Sequence, residues 1–268
     1  MYYGQLMHQQ NMLADVVRTS VYHKAITENL HHFDGASVLD VGTGTGLLAF
    51  FAAQAGARKV YAVEHAAPMA TLAELLVKGN RMGDVIQVVN GSIEDSDMSE
   101  RVDVIVSEPI GFLLVHERML ESFIAARDKF LKPGGLMMPT TSDIFVAPFT
   151  DDTLFREQSS KAQFWNQSQF YGIDLRPLAA KAAEEYMSQA VVGYFSNDIL
   201  ISRDKATHSV DFRTVTMAQL QTFEIPLRFH INRTALLHGL GCWFDLNFLG
   251  SESHVVLSTA PDQTGTHW

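Results

Sequence analysis

Between residues 35 and 140 the chain alternates short apolar runs with helix-forming segments, and this alternation constrains the fold more than any other feature. The apolar runs, which include β-branched residues, have the length of buried strands and cover residues 38–41, 58–64, 85–91 and 102–108. The helical patterns cover residues 47–56, 69–80 and 117–131. Strands that alternate with helices in this way predict a doubly wound, mostly parallel sheet.

The segments on either side of this region have different patterns. Residues 1–34 contain few helix breakers and space their apolar residues as helices do, for example in "QQNMLADVVRTSVYHKAITENL". Residues 150–188 are also predicted to be helical. From Val191 onward the chain is rich in short β-type runs: "SVDF", "FEIPLRFHI", "GCWFDLNFLG" and "HVVLST". We therefore expect a second, antiparallel β unit with a helical insertion before it.

Composition limits the possible functions. Hydrophobic residues make up 47% of the 268 residues, which is ample for a core, and the net charge of −10 argues against a nucleic-acid platform. No apolar run is long enough to span a membrane, and the first residues lack the pattern of a secretory signal. The single cysteine, Cys242, excludes an internal disulfide and favours a reducing, intracellular compartment. Its apolar surroundings in "GCWF" predict a core position.

A glycine-rich loop joins the first predicted strand to the helix that follows it. Gly42, Gly44 and Gly46 permit a tight turn and a close backbone approach to a ligand near the helix N-terminus. The dinucleotide-binding fingerprint requires its third glycine at the position of Leu47, so a nicotinamide or flavin cofactor is disfavoured. An ordinary strand–helix turn is the alternative reading of these glycines.

Acidic residues follow the next two strands. Glu64 ends the second strand, 18 residues after Gly46, where a carboxylate can accept both hydroxyl groups of a ribose. Glu94 follows the third strand in "GSIED", with Asp95 and Asp97 close by. A solvated charge at a strand end is the alternative for Glu64, and the preceding glycine loop weakens that alternative.

Two glutamates bracket the largely apolar stretch "SEPIGFLLVHERML". Glu108 and Glu117 are nine residues apart, and the adjacent cation, Arg118, would point elsewhere on a helix. A favourable interaction with the dipole of the following helix could explain Glu117. It cannot explain Glu108, which follows an apolar strand where burial without a partner is costly. The pair therefore predicts a site that binds a cation from outside the chain.

With these pieces in place, the sequence resembles the type I protein arginine methyltransferases over essentially its whole length. The double-glutamate loop combined with "THW" at residues 266–268 is the most specific part of the resemblance. The other matching stretches are "YYGQLMHQQNMLADVVRT", "VLDVGTGTGLLAFFAAQAGARKVYAVE", "FWNQSQFYGIDL" and "VLSTAPDQTG".

The resemblance implies S-adenosylmethionine (SAM) as the cofactor. Arg18 is expected to bind the carboxylate of its methionine portion and Glu64 its ribose, with Glu94 at the adenine end. The other expected contacts lie on the covering helices, the glycine loop and the helix after the double-glutamate loop: Gln9, Met12, Gly42, Gly44, Met119 and Ser122.

For catalysis, the resemblance implies that Glu108 and Glu117 hold the guanidinium group of a substrate arginine. His267 is expected to pair with Asp15 and to take part in proton transfer, although a glutamate could equally be the proton acceptor. The methionines at positions 12 and 119 fall where type I members have methionines lining the acceptor site, which implies asymmetric dimethylation.

The resemblance also implies a domain organisation and partners. It divides the chain into covering helices (1–34), a Rossmann-like SAM-binding domain (35–147), a helical dimerisation arm (148–190) and an incomplete antiparallel β-barrel (191–268). The family's barrel continues beyond the His267 motif, which is why we expect an incomplete one. A homodimer through the 150–188 arm is expected, with Trp165, Phe170 and Tyr171 as interface residues. The implied substrates are histones and other arginine-containing proteins, in nucleus and cytoplasm.

Three alternatives remain open at this point. A small-molecule methyltransferase would share the glycine loop but would not need the paired glutamates. A truncated family member could bind SAM or partners without turnover. A dehydrogenase is disfavoured by Leu47.

Overall fold

A computed structural model describes residues 4–268, so Tyr2 and Tyr3 of the quoted "YYGQ" stretch lie outside the described residues. The chain forms two compact units. The first comprises the described residues up to Phe145 together with Thr207–Ile225 and Trp243–Trp268, and the second comprises Val146–Ala206 and Pro226–Cys242. Over residues 4–268, no helix is long and apolar enough to cross a membrane.

A parallel sheet of five strands lies at the centre of the first unit. Its strands are β1 (Ser37–Val41), β2 (Lys59–Glu64), β3 (Ile86–Asn90), β4 (Val102–Ser107) and β5 (Leu131–Met138). They are arranged in the order β3-β2-β1-β4-β5, and all neighbouring pairs are parallel. All five residues of the central strand β1 are buried, as expected for a strand with neighbours on both sides. The doubly wound sheet predicted from the sequence is confirmed.

The helices follow the alternation that the sequence predicts. In chain order they are α1 (Leu6–Ala14), α2 (Val16–Thr27), α3 (Leu47–Gln54), α4 (Ala67–Gly79), α5 (Met119–Phe130), α6 (Asp152–Ala162), α7 (Ala179–Ser188) and α8 (Met217–Gln221). The helices α3, α4 and α5 follow β1, β2 and β4 along the chain. Asp15 separates α1 from α2, because its side chain accepts a hydrogen bond from the backbone N–H of Arg18 at 2.9 Å and so caps α2.

Four further strands form the second sheet, in the order β7-β6-β8-β9. They are β6 (Thr141–Phe149), β7 (Ala206–Asp211), β8 (Gly239–Leu249) and β9 (His254–Ser258). Strands β8 and β9 are antiparallel, with Leu246 opposite Leu257. Within the first unit, Phe248 of β8 packs edge-on against Tyr22 of α2 at 4.9 Å and belongs to the same continuous core as the parallel sheet. This partial barrel completes the predicted fold class.

The segment around the double-glutamate loop departs from the predicted helix boundaries. The helix expected from residue 117 begins at Met119, because Glu117 and Arg118 have left-handed φ angles of 72° and 62°. Such residues cannot continue a right-handed helix. At the other end, α5 ends at Phe130, close to the predicted boundary at 131, and the Pro-Gly-Gly sequence at 133–135 lies inside β5. The register of β5 against β4 shifts at this point, which is how the strand accommodates these residues.

Two predictions for the β-rich part are wrong. Residues 223–231 form no strand, and in this stretch only an isolated bridge joins Ile231 to Ser202. Pro226 has no N–H to donate to a ladder, which explains why the apolar run does not pair. Cys242 is exposed and not in the core, because Gly241 and Trp243, its neighbours in β8, face inward and strand residues alternate between faces.

The second unit contains α6, α7 and a loop rich in aromatic residues between them. Asp151 caps α6 by accepting a hydrogen bond from Leu154 N–H at 2.9 Å. In the loop, the ring of Phe170 lies edge-on to Phe164 at 5.5 Å and to Tyr171 at 4.9 Å. Within this unit Tyr171 is 91% exposed and Phe164 50% exposed, so the cluster presents apolar surface to its surroundings.

Candidate active site

A cavity of about 510 Å³ lies in the first unit where β1, β2, β3 and β4 end. This is the edge at which open α/β sheets bind ligands, and the volume is typical of small-molecule sites. Its walls include the segments that follow the four strands: residues 42–45, 64–66, 91–94 and 107–112. Of the thirteen residues predicted from the sequence, all except Asp15 line this one cavity, and Asp15 contacts a lining residue.

The glycine loop forms the floor beneath α1. Gly42 and Gly44 have φ angles of 69° and 56°, and a Cβ atom at Gly44 would come within 2.7 Å of Gln9 Oε1. Gln9 is buried, so α1 covers the loop closely. The carboxylate of Glu64 accepts hydrogen bonds from Gly44 N–H at 2.9 Å and from Ala66 N–H at 2.8 Å. Because a carboxylate has about four acceptor positions, Glu64 retains capacity for two ligand hydroxyls.

Glu108 projects into the cavity directly after β4, with only 10% of its side chain exposed. The Nε and Nη2 atoms of Arg18 both contact Glu108 Oε2, so the two side chains form a buried ion pair. Burial raises the pKa of Glu108 above its usual value, and the positive charge of Arg18 opposes this shift without cancelling it. A guanidinium group thus already contacts one of the two glutamates.

Glu117 reaches the same cavity from a strained loop. Besides Glu117 and Arg118, Leu113 and Leu114 have positive φ angles, of 49° and 68°. Gly111 fits only without a side chain, since a Cβ there would lie 2.0 Å from the carbonyl oxygen of His116. Left-handed φ angles at residues other than glycine are strained and concentrate at functional sites. In this loop they determine the direction in which the Glu117 side chain leaves the backbone.

Arg118, the cation next to Glu117 in sequence, is engaged elsewhere. Its Nε and Nη2 atoms donate to the two carboxylate oxygens of Glu121, both at 2.9 Å, on the exposed side of α5. The expectation that it points away from the glutamate pair therefore agrees with its position.

Asp15 and His267 lie against each other beside Arg18. Asp15 Oδ2 accepts the backbone N–H of His267 at 2.8 Å and lies 2.8 Å from its Nδ1. Burial alone would raise the pKa of Asp15, but the hydrogen bonds from Arg18 and His267 lower it overall. A carboxylate hydrogen-bonded to Nδ1 keeps the ring proton on Nδ1, so Nε2 can accept a proton from a substrate. The indole N–H of Trp268 donates to Ile110 O at 3.3 Å, which ties this segment to the double-glutamate loop.

The remaining predicted residues complete the wall. Ser122 donates a hydrogen bond to Glu94 Oε1 at 2.8 Å, so α5 and the loop after β3 meet at the cavity. Met12 and Met119 also line it. In residues 4–268, no cluster of His, Cys, Asp or Glu side chains has the geometry of a metal site.

Comparison with known proteins agrees with this geometry. Residues 38–135 match the methyltransferase domain, and residues 140–268 match the arginine methyltransferase oligomerization subdomain. The structure of protein arginine methyltransferase 10 from Arabidopsis thaliana is 37% identical to the chain, with a TM-score of 0.89. The match covers 99% of this chain and 81% of that one. The chain belongs to the protein arginine methyltransferase family.

Two further relatives extend the comparison. A Trypanosoma brucei PRMT1 enzyme–prozyme heterotetrameric complex with AdoHcy is 31% identical with a TM-score of 0.89, over 100% of this chain and 81% of that chain. A probable histone-arginine methyltransferase, CARM1, of Oryza sativa subsp. indica is 50% identical over all 268 residues. The chain spans 50% of that relative's length.

Sequence reasoning missed several residues of this cavity. His65 and Phe112 line the cavity, and neither carries a pattern that separates it from a surface or core residue; Trp268 also lines it, and its place in "THW" was the available signal. Asp40 was also missed, although a carboxylate within an otherwise apolar strand is a detectable signal. It is buried in β1, and its Oδ2 accepts hydrogen bonds from Thr43 Oγ1 at 2.6 Å and Ala49 N–H at 3.0 Å.

Proposed function

We propose that this chain transfers methyl groups from SAM to the guanidino nitrogens of arginine residues in proteins. One observation carries the proposal: Glu108 and Glu117 line the same cavity as the glycine loop and Glu64. A cofactor cleft and a paired-carboxylate cation site are thus continuous, as the reaction requires.

The cavity residues fit SAM. Gly44 has a left-handed φ of 56° and lies close beneath Gln9, which favours glycine there and brings the loop backbone to the cavity wall near the start of α3. Glu64 has acceptor capacity for ribose hydroxyls, and Glu94 and Ser122 form the wall at the adenine end. Arg18 would hold the methionine carboxylate. When bound, SAM supplies a methyl group activated by a sulfonium cation.

The two glutamates address an electrostatic problem. An arginine side chain stays protonated, so it meets the sulfonium as a second cation. At about 4 Å and an effective dielectric of about 20 the repulsion is about 4 kcal/mol. Two carboxylates offset this repulsion and match the fixed fork of guanidinium N–H donors, so they also orient the attacking nitrogen. The pairing of Arg18 with Glu108 supports this role, since it demonstrates that Glu108 accommodates a guanidinium.

Proton removal is assigned to the pair of His267 and Asp15. The carboxylate of Asp15 at Nδ1 orients the imidazole, so Nε2 is the proton acceptor. His267 lines the cavity together with both glutamates, which supports this assignment. Met12 and Met119 at the acceptor end support a type I product, asymmetric dimethylarginine.

We also propose the four-part organisation given above: covering helices to residue 34, the SAM-binding domain to 147, the arm to 190 and the partial barrel to 268. The match of residues 140–268 to an oligomerization subdomain supports a homodimer formed through the 150–188 arm. The exposed Tyr171 and Phe164 are suitable interface residues. Relatives named histone-arginine methyltransferases support histones among the substrates and action in the nucleus, with a cytoplasmic pool for other proteins.

The test is to incubate the full-length protein with labelled SAM and an arginine-rich histone and to identify methylated amino acids by mass spectrometry. We expect mono- and asymmetric dimethylarginine. Glu117→Gln should abolish most of the product, whereas Glu121→Gln, at the surface pair with Arg118, should not. Binding of SAM without methylarginine would favour the inactive, SAM-binding alternative, and label on a small molecule alone would favour a metabolite methyltransferase.

A further inference from the structure

The carboxyl group of Asp40 connects both ends of the glycine loop. Its Oδ2 accepts Thr43 Oγ1 from within the loop and Ala49 N–H from the first turn of α3. Asp40 itself is fully buried, two residues before the first glycine of the loop. These two hydrogen bonds hold the loop together with those that Gly42, Thr43 and Gly44 N–H donate to β2.

The second oxygen, Oδ1, is different. It is buried and has no hydrogen-bond partner among the described residues. A buried carboxylate with one unsatisfied oxygen is costly as an anion, so burial raises the pKa of Asp40 to about 7, even though Thr43 and Ala49 lower it. A carboxyl group in this position changes its charge near neutral pH.

Charges on the cavity wall act on Asp40. Glu64, at the end of β2, raises the pKa of Asp40, and Arg18, on α2, lowers it. Tyr22, also on α2, is a further titratable group that interacts with Asp40, and burial keeps the pKa of Tyr22 well above its usual value, so Tyr22 stays neutral. Because Glu64 and Arg18 both line the cavity, a cation placed in that cavity will also act on Asp40.

We propose that Asp40 is a positioning residue that loses its proton to solvent when SAM binds, so that the loop binds the cationic cofactor more tightly than its uncharged product. This inference rests on SAM as the cofactor. SAM carries a sulfonium, whereas S-adenosylhomocysteine carries a neutral thioether. Ionised Asp40 favours the sulfonium of SAM over the thioether. The ionised carboxylate also accepts the hydrogen bonds from Thr43 and Ala49 more strongly than a protonated carboxyl group does.

The direction of the pH effect follows from linkage. If the bound sulfonium lowers the pKa of Asp40 by about one unit, SAM affinity rises by about fivefold between pH 6 and pH 8. The affinity for S-adenosylhomocysteine should rise less over the same range. The preference for cofactor over product thus increases with pH.

Calorimetric titration of the full-length protein, in buffers of different ionisation enthalpy, measures the proton released on binding. For the wild type near pH 7 we expect a fraction of a proton to be released with SAM and less with S-adenosylhomocysteine. Asp40→Asn keeps the size of the side chain but cannot ionise, and it should remove this difference. Equal proton release in Asp40→Asn and wild type would overturn the proposal, because other groups such as His267 would then be the source.

A second variant decides the outcome if Asp40→Asn fails to fold. Thr43→Val removes a hydrogen-bond donor that stabilises the ionised form of Asp40. The midpoint of the plot of SAM affinity against pH should therefore move to higher pH. An unchanged midpoint would overturn the proposal. Absence of any SAM binding would overturn the proposed function as well, whereas SAM binding without proton release would overturn only the role of Asp40.

Discussion

Replacement of Glu108 by glutamine tests the paired-carboxylate site most informatively, because the structure gives two separate consequences. The variant keeps the size of the side chain and removes its charge. Loss of one of two carboxylates exposes about half of the cation–cation repulsion, about 2 kcal/mol. Hydrogen bonds from a guanidinium to a neutral amide are weaker than those to a carboxylate by a further 1.5–2 kcal/mol or so. Together these predict a turnover number lowered about a thousandfold.

The second consequence concerns stability without ligand. Arg18 and Glu108 form an ion pair in which their side chains are only 9% and 10% exposed. Removal of one partner leaves the other charge buried, and the free energy of unfolding should fall by about 3 kcal/mol. Because SAM affinity is expected to be nearly the same in the variant and the wild type, SAM should raise the two melting temperatures by similar amounts.

The assay combines single-turnover methylation of a histone substrate, SAM affinity by calorimetry and thermal unfolding with and without SAM. Glu121→Gln is the matched control, because its surface pair with Arg118 lies outside the cavity. We expect SAM affinity to be nearly unchanged in Glu108→Gln. Normal turnover, or a loss of SAM affinity as large as the loss of turnover, would refute the reasoning.

Three further predictions follow from individual contacts. Because the pKa of Asp15 is lowered in the folded state, its contribution to stability is present above pH 4 or so and is lost as the pH falls through the folded value. Asp15→Asn should therefore be less stable than wild type at pH 7, and thermal unfolding should show this difference shrinking as the pH is lowered through the acid range. Gly44→Ala should weaken SAM binding, as measured by calorimetry, because the new Cβ would lie 2.7 Å from Gln9 Oε1. Unchanged affinity would contradict the close approach of Gln9 to the loop backbone. Tyr171→Ser should shift the protein towards monomer in sedimentation experiments while its melting behaviour in the monomer stays the same, since the side chain is 91% exposed.

The sheet and the cofactor loop could be predicted because their signals are local. Gly42, Gly44 and Glu64 sit at fixed places in the strand–helix alternation, and the same alternation predicts where they meet. The position of Glu117 could not be derived in this way. Periodicity alone predicts that Glu117 lies in a helix. In the structure its backbone is left-handed, because the loop packs tightly around Gly111, and periodicity carries no signal for that packing.

Pairings between distant residues were the other limit. Arg18 and Glu108 are 90 residues apart, and their ion pair depends on α2 lying over the end of β4, which no sequence pattern specifies. Pro133 is a related case: α5 ends before it at Phe130, as the sequence predicts, but its place inside β5 depends on pairing with β4 that no local pattern specifies. Features set by neighbouring residues in the sequence could therefore be predicted, whereas contacts between residues far apart in the sequence could not.

The central claim is that the two glutamates hold a guanidinium beside the cofactor, and a matched set of peptides tests it most directly. The peptides share one sequence and carry arginine, citrulline or lysine at one position, and the methylated residue is identified by mass spectrometry after incubation with the full-length protein and SAM. Transfer to the guanidino nitrogens of arginine alone, lost in Glu108→Gln and Glu117→Gln, is the predicted result. Transfer to lysine, or equal transfer to arginine and citrulline, would contradict the account.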